Sequence, residues 1–318
     1  MRSRTIPDEI VGLNRTDGRA DARPFHMTDR SRELPLKNVR GKARHQLIET
    51  KPVHRLLRYL STAIIFASLT LLTQIGGLAY LLGLAAGFIP ALRLSRRWLR
   101  RTAMLTVAVA SYTFMTLWLG PPLAQLAGRV RLPCSTNSEG PVVAATWLTC
   151  ALNRGYVRPE VLTVVLALGD EIGRQFPGSR VTALEANFPF VDGFPLLPHL
   201  SHRDGRKVDL AYFYRSTGTN APIAHGSPSW LGYFIYEQPR EGDPLPCAGR
   251  WTPLRWNFEW LQPRPTTWRL DPERTAWVLT WLKEQPRVAR LSIEPHLAQR
   301  LGIADGIVRF PTRRPHSR

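Results

Sequence analysis

Hydrophobic and polar positions divide the chain into three stretches of different pattern. Residues 1–58 are rich in Arg, Lys, Asp and Ser and carry no apolar stripe at either the helical or the strand period, which predicts a disordered basic tail. From Ser61 to Leu92, "STAIIFASLTLLTQIGGLAYLLGLAAGFIPAL" contains no charged residue. A second apolar run, "TAMLTVAVASYTFMTLWL", extends from Thr102 to Leu119 and stops at Gly120-Pro121-Pro122. Together they predict a transmembrane region over residues 59–122, with two or three spans. The first run is too long for one ordinary crossing, at ~1.5 Å of rise per residue against a hydrocarbon core of ~30 Å, and short for two. Gln74, Gly76 and Gly77 fall near its middle, where a hairpin would turn, while a single tilted helix would have to tolerate them.

Residues 123–318 change pattern again and are of single-domain size. "PEVLTVVLALGDEIGRQFPG" has apolar positions at helical spacing and ends at Pro177-Gly178; "RVTALEANFPF" reads as a strand leading into a loop. "DPERTAWVLTWLKEQP" predicts an amphipathic helix with Asp271 as N-cap and Pro286 beyond its end, and "VARLSIEPHLAQRLG" a strand and a short helix. Strands and helices interleave without regular alternation. The expected fold class is α+β, a small mixed or antiparallel sheet with helices, preceded by N-terminal transmembrane helices.

Charge adds an orientation. Lys and Arg number 43 against 24 Asp and Glu, for a formal net charge of +19. Such a balance attracts phosphates, anionic lipid head groups or acidic wall polymers without choosing among them. Arg93, Arg96, Arg97, Arg100 and Arg101 lie between the two apolar runs, and Lys51, Arg55 and Arg58 precede the first. The positive-inside rule asks for both groups in the cytoplasm. A hairpin in the first run followed by an outward second crossing meets both demands and leaves everything after about residue 123 outside, although Arg129 and Arg131 count against it. Much of the surplus charge thus has a topological role, and no nucleic-acid-binding motif accompanies it, so membrane lipids and not nucleic acid are the expected partners. Cys134 and Cys150 flank a short apolar segment; in an oxidising compartment they can pair and leave Cys247 over, the alternative being three buried thiols.

Candidate chemistry concentrates in "PHLSHRDGRKVDLAYFY", from Pro198 to Tyr214. Asp204-Gly205 is a turn signal, because glycine supplies positive φ. His202 precedes that turn and Asp209 falls on the strand-like segment after it, so the two side chains can converge. Imidazole and carboxylate together suit Zn²⁺, which takes two further ligands, typically a third protein group and a water whose pKa it lowers to ~7.

The spacing His202-x-x-Gly205-x-x-x-Asp209 resembles the first zinc motif of the LAS-type metallopeptidases, a group that includes D-Ala-D-Ala dipeptidases and carboxypeptidases, lysostaphin-type enzymes and penicillin-insensitive murein endopeptidases. The upstream histidine of "HLSH", His199, is most similar to the murein endopeptidase version. The resemblance implies that His202 and Asp209 are zinc ligands; His199 is a candidate catalytic residue, the alternative being a partly buried loop histidine. It further implies a small α+β scaffold that cleaves peptide cross-links of peptidoglycan outside the bacterial cytoplasmic membrane. The family's second motif is a His-x-His near the C-terminus on a strand after the last helix. Here that region reads "IVRFPTRRPHSR" and offers His316 as third ligand by order along the chain. The remaining ligand is therefore supplied differently, the chain is shortened relative to active relatives, or the site is incomplete.

Other residues compete for the same roles. His225 and His296 are further candidates for third ligand, each also readable as structural, and Glu294 is a general base only if it faces the same cavity. Trp251, Trp256, Trp260 and Trp268 with Arg255 can line a groove for sugars or wall peptides, or simply pack an irregular loop onto the domain. Three functions are compatible with these features: a membrane-anchored zinc peptidase, a wall-peptide binding or scaffolding module that keeps the fold without turnover, and a membrane protein in which the motif is coincidental.

Overall fold

A computed structural model of the protein describes residues 37–89, 96–137, 139–228, 237, 240–243 and 267–303, with side chains from residue 53 onward. The chain divides into two units, residues 1–56 and 57–318. In the first, the described residues belong to the start of helix α1 (Lys37–Thr73). The helix therefore begins inside the stretch expected to be a disordered tail and runs through Gly41 and Pro52.

In the second unit, α1 stops at Gln74, whose φ is +68°, and the chain turns into α2 (Gly76–Ala86). The two glycines make this reversal possible. A Cβ at Gly77 would lie 2.7 Å from the carbonyl oxygen of Phe66, and one at Gly76 3.0 Å from that of Leu69. Small residues also bring α2 against α3 (Arg97–Phe114), where a Cβ at Gly83 would meet the Met104 carbonyl and the Ala108 methyl at 2.7 Å. The first apolar run is thus broken near its middle, where a hairpin was expected.

The second run continues further than its Gly-Pro-Pro sequence suggests. After α3 come a single π-helical turn, Met115–Leu119, and α4 (Gly120–Leu126), which keep the path helical through Pro121 and Pro122. Both prolines fall in the first turn of α4, and the wider π turn, with the Gly120 N–H donating to the Met115 carbonyl, takes up the missing donors. Val53–Thr73 and Arg97–Leu126 are both long and apolar enough to cross a membrane.

The remainder is α+β, with helices and small mixed and antiparallel sheets. Strands β1 (Val130–Arg131) and β3 (Tyr156–Val157) pair antiparallel on either side of β2 (Val142–Ala144) and the short helix α5 (Trp147–Ala151). β2 lies parallel to β4 (Val181–Glu185), which pairs antiparallel with β5 (Asp209–Leu210). Cys134 and Cys150 form a disulfide that ties the segment before β2 to α5. Helix α6 (Pro159–Gln175) covers this sheet with Val165, Leu168 and Ile172, and Gly169 allows it to approach Pro141 closely. β6 (Tyr214–Ser216) pairs with β7 (Trp268–Leu270), which leads into α7 (Pro272–Glu284), whose Val278 and Leu282 join the same core. Asp271 caps α7 by accepting from the Arg274 N–H, as its position in the sequence predicts.

Two strand expectations change. "KVDLAYFY" supplies two short strands in different sheets, because β5 follows β4 while β6 finds its partner far along the chain. "VARLSI" forms no strand; its Val288, Leu291 and Ile293 pack directly into the cores next to α7 and α8 (Pro295–Arg300) without a ladder partner.

Candidate metal centre

The site is built where β4 gives way to a long loop and β5 brings the chain back. Ala183 pairs with Leu210 and Glu185 with Asp209, with a register shift between Ala183 and Glu185. Strand alternation sends Leu210 toward the core and Asp209 to the other face. Two carboxylates, Glu185 and Asp209, consequently stand opposite each other across the ladder, an arrangement that like-charge repulsion disfavours unless a cation sits between them.

Asn187, fully buried, fixes the returning turn. Its Nδ2 donates to the carbonyls of Tyr156 and Lys207 at 3.2 and 2.8 Å, and its Oδ1 accepts from the Gly205 N–H at 3.2 Å. Gly205 has φ +77° and lies against the Arg129 and Arg158 side chains, so this position asks for glycine on both conformational and steric grounds. Asp204 Oδ1 accepts from the Arg206 N–H and completes the turn. The consequence is the convergence that the sequence predicts: His202 Nε2 stands 3.2 Å from Asp209 Oδ1.

His202 is buried, and its Nδ1 lies 2.7 Å from the Ala186 carbonyl. A carbonyl only accepts, so Nδ1 carries a proton, and Nε2 faces the Asp209 oxygen either as a second N–H or as a lone pair. Two acceptors at that distance need a cation between them, either a second ring proton or a metal ion. Two ligands each ~2.0–2.1 Å from a tetrahedral Zn²⁺ stand roughly 3.3 Å apart, close to the observed separation. The Ala186 carbonyl also has the place of the outer hydrogen-bond partner that fixes the tautomer of a metal-bound imidazole.

His199 completes the group. Its Nδ1 is 3.1 Å from Asp209 Oδ2 and 2.7 Å from Glu185 Oε2, and its ring centroid is 5.5 Å from that of His202. Ligand atoms of His199, His202 and Asp209 all lie within 4.8 Å of one another, close enough to hold one metal ion. Behind them, buried Arg154 pairs with Glu185 Oε1 at 2.9 Å and donates to the Leu197 carbonyl, which joins Glu185 to the chain just ahead of His199. Burial pushes the His199 pKa down, but the hydrogen bonds and charges of Asp209 and Glu185 outweigh it and raise the value to about 10. Asp209 shows the converse: burial would raise its pKa, and the two histidines hold it well below the usual carboxylate range. The cluster is organised around one positive charge.

Of the residues singled out in the sequence, His199, His202 and Asp209 come together. His199, expected in a catalytic role, is placed as a third possible ligand. His316 lies outside the described residues, as do Cys247, Trp251, Arg255, Trp256 and Trp260. His296 is not in the cluster; its Nε2 lies 2.8 Å from the Glu237 carbonyl, with Glu294 at 3.7 Å. His225 lines a separate small pocket with Arg180, Thr182 and Tyr214. Trp268 packs against the Tyr214 ring at 5.7 Å, which is the packing alternative.

Sequence reasoning missed Glu185, Arg154 and Asn187. The available signal was a glutamate ending the otherwise uncharged strand segment "VTALE", and its use required knowing which residue of β5 stands opposite. Comparison of the chain with protein-family models, with curated proteins and with solved structures finds no match.

Proposed function

We propose that the protein is a membrane-anchored zinc metallopeptidase that hydrolyses peptide cross-links of peptidoglycan, with its α+β domain on the extracytoplasmic side of a bacterial inner membrane. The observation that carries the reading is the approach of His202 Nε2 to Asp209 Oδ1 across a glycine turn, with His199 beside them, in the spacing that resembles the LAS-type motif. Anchoring is supported by the two long apolar helices, in which only 6% and 11% of the apolar windows are buried, whereas a core helix of a soluble protein is mostly buried. An oxidising compartment is supported by the Cys134–Cys150 disulfide.

When bound, Zn²⁺ would supply Lewis-acid polarisation of a carbonyl and activation of water. The chain's own residues do the rest. His202 offers Nε2 because Ala186 holds its Nδ1 proton, and Asp209 is kept ionised by its two histidines. Glu185, fixed by Arg154, orients His199 through the contact of its Oε2 with the His199 Nδ1. His199 is half exposed beside the buried His202, so the histidine pair is open to a ligand from one side.

Metal content and murein turnover test this reading separately. The full chain purified in detergent is expected to hold about one zinc, the single tetrahedral site of the cluster. His202→Ala is expected to remove it. Purified murein should release peptide products with the wild-type chain and none with Asp209→Ala. A metal-free wild-type protein sinks the zinc assignment; stoichiometric zinc without product release leaves a wall-peptide binding module instead.

A further inference from the structure

The helices and the domain are joined at the level of the site. Gln74, at the break between α1 and α2, accepts through Oε1 from the Phe190 N–H at 3.0 Å. Tyr112 on α3 donates to the Ala151 carbonyl at the end of α5, and Asn153 Nδ2 reaches Thr116 Oγ1 at 3.2 Å. The first contact seats the loop after β4 at the end of α1, and the other two seat the end of α5 against the second apolar helix. From Phe190 to Gly193 is three residues, a reach of at most about 10 Å. The Gly193 N–H donates to the Arg203 carbonyl, next to His202, so the cluster stands close to the helix break.

The same loop exposes side chains that a soluble domain has little reason to expose. Val191, Leu197 and Leu200 are 52%, 50% and 58% exposed, and Leu197 and Leu200 bracket Pro198-His199. Arg203 and Arg206 beside them are exposed as well. Trp147, 70% exposed, lies one helical turn before the Ala151 carbonyl that Tyr112 engages. Apolar side chains interleaved with arginines and a tryptophan, next to the ends of membrane helices, are the composition that binds at a lipid interface. Arginines held there act on anionic head groups within a Debye length of ~8–10 Å.

We infer that the rim formed by Val191, Leu197 and Leu200, with Arg203 and Arg206, rests on the anionic lipid leaflet in which the helices stand, which sets the metal cluster beside the bilayer surface. The inference rests on the membrane-spanning reading of the two helices and is independent of whether the cluster turns substrate over.

Amide hydrogen exchange of the full chain in nanodiscs tests it, with discs of phosphatidylcholine alone, discs containing phosphatidylglycerol, and detergent micelles compared. Exchange across residues 191–203 is expected to slow about tenfold in the phosphatidylglycerol discs relative to micelles, and by less in phosphatidylcholine. Val191→Ser with Leu200→Ser should restore fast exchange in every disc, and Arg203→Gln with Arg206→Gln should abolish the difference between the two lipids. Zinc content is expected to stay unchanged in both variants. Equal exchange in micelles and both discs overturns the inference, and equal slowing in both lipids overturns the anionic assignment. A chain that does not enter discs at all overturns the anchor and the rim together, an outcome distinct from an inserted chain whose loop exchanges freely.

Discussion

Asp271 and Glu185 are both buried carboxylates that meet an arginine, and the two surroundings differ in what carries the remaining positive charge. Asp271 accepts from Arg274 Nε and Arg215 Nε, each at 2.7 Å, and Arg215 also reaches Glu273. Two acids and two guanidiniums balance, and guanidinium does not release its proton in a protein. Glu185 has Arg154 but stands opposite Asp209, leaving two acids with one fixed cation. The balance is completed by histidine, whose proton, unlike that of a guanidinium, is exchangeable. A cluster closed with arginines holds the fold together regardless of ligand, whereas one closed with histidines can exchange a proton for a metal ion.

The largest expected effect separates the two on stability. Asp271→Ala leaves two arginines without their buried partner, and a loss of about 3–5 kcal/mol is expected in urea unfolding of the detergent-solubilised chain. The zinc held per folded molecule should not change. If that variant instead loses zinc at unaltered stability, the division between a structural and a functional cluster fails.

Glu185→Gln sharpens the other side. It keeps the shape of the side chain and removes the charge that orients His199, so zinc affinity is expected to fall 10–100-fold in competition with a chelator. An unchanged affinity would show that Glu185 serves only Arg154.

Acid provides the smallest and most graded contrast. Although burial raises the Asp271 pKa, hydrogen bonds from Arg274 and Arg215 outweigh it and leave the value below that of an ordinary carboxyl. The unfolded chain, with a carboxyl near ~3.9, binds the proton first. Asp271 therefore contributes stability that is fully present above that value and is lost as pH falls through the lower folded value. Unfolding midpoints measured from pH 6 downward should decline less steeply in Asp271→Asn than in the wild type, and parallel slopes would remove Asp271 from the acid response.

Legibility in the sequence followed the range of the interaction. Asp271 as a cap, the helix of "PEVLTVVLALGDEIGRQ", the break near Gln74 and the Asp204-Gly205 turn all depend on neighbours a few residues away, and each is present where the sequence places it. The strand expected of "VARLSI" failed because a strand exists only with a partner, and packing on α7 and α8 offered none. Helix α4 runs through Pro121-Pro122 because a π turn ahead of it removes the usual conflict, which no propensity foretells.

The candidate site divides in the same way. By itself the sequence determined that His202 and Asp209 could converge, since only a glycine turn and a short strand separate them. It also determined two helical segments apolar enough to cross a bilayer. Only the tertiary structure decided that Glu185 pairs with Asp209, that His199 stands between them, and that the rim of the site is tied through Phe190 to Gln74, 116 residues away. Strand register and helix docking are chosen by burial summed over the whole domain, and a local stretch of sequence carries too little of that sum to reveal them.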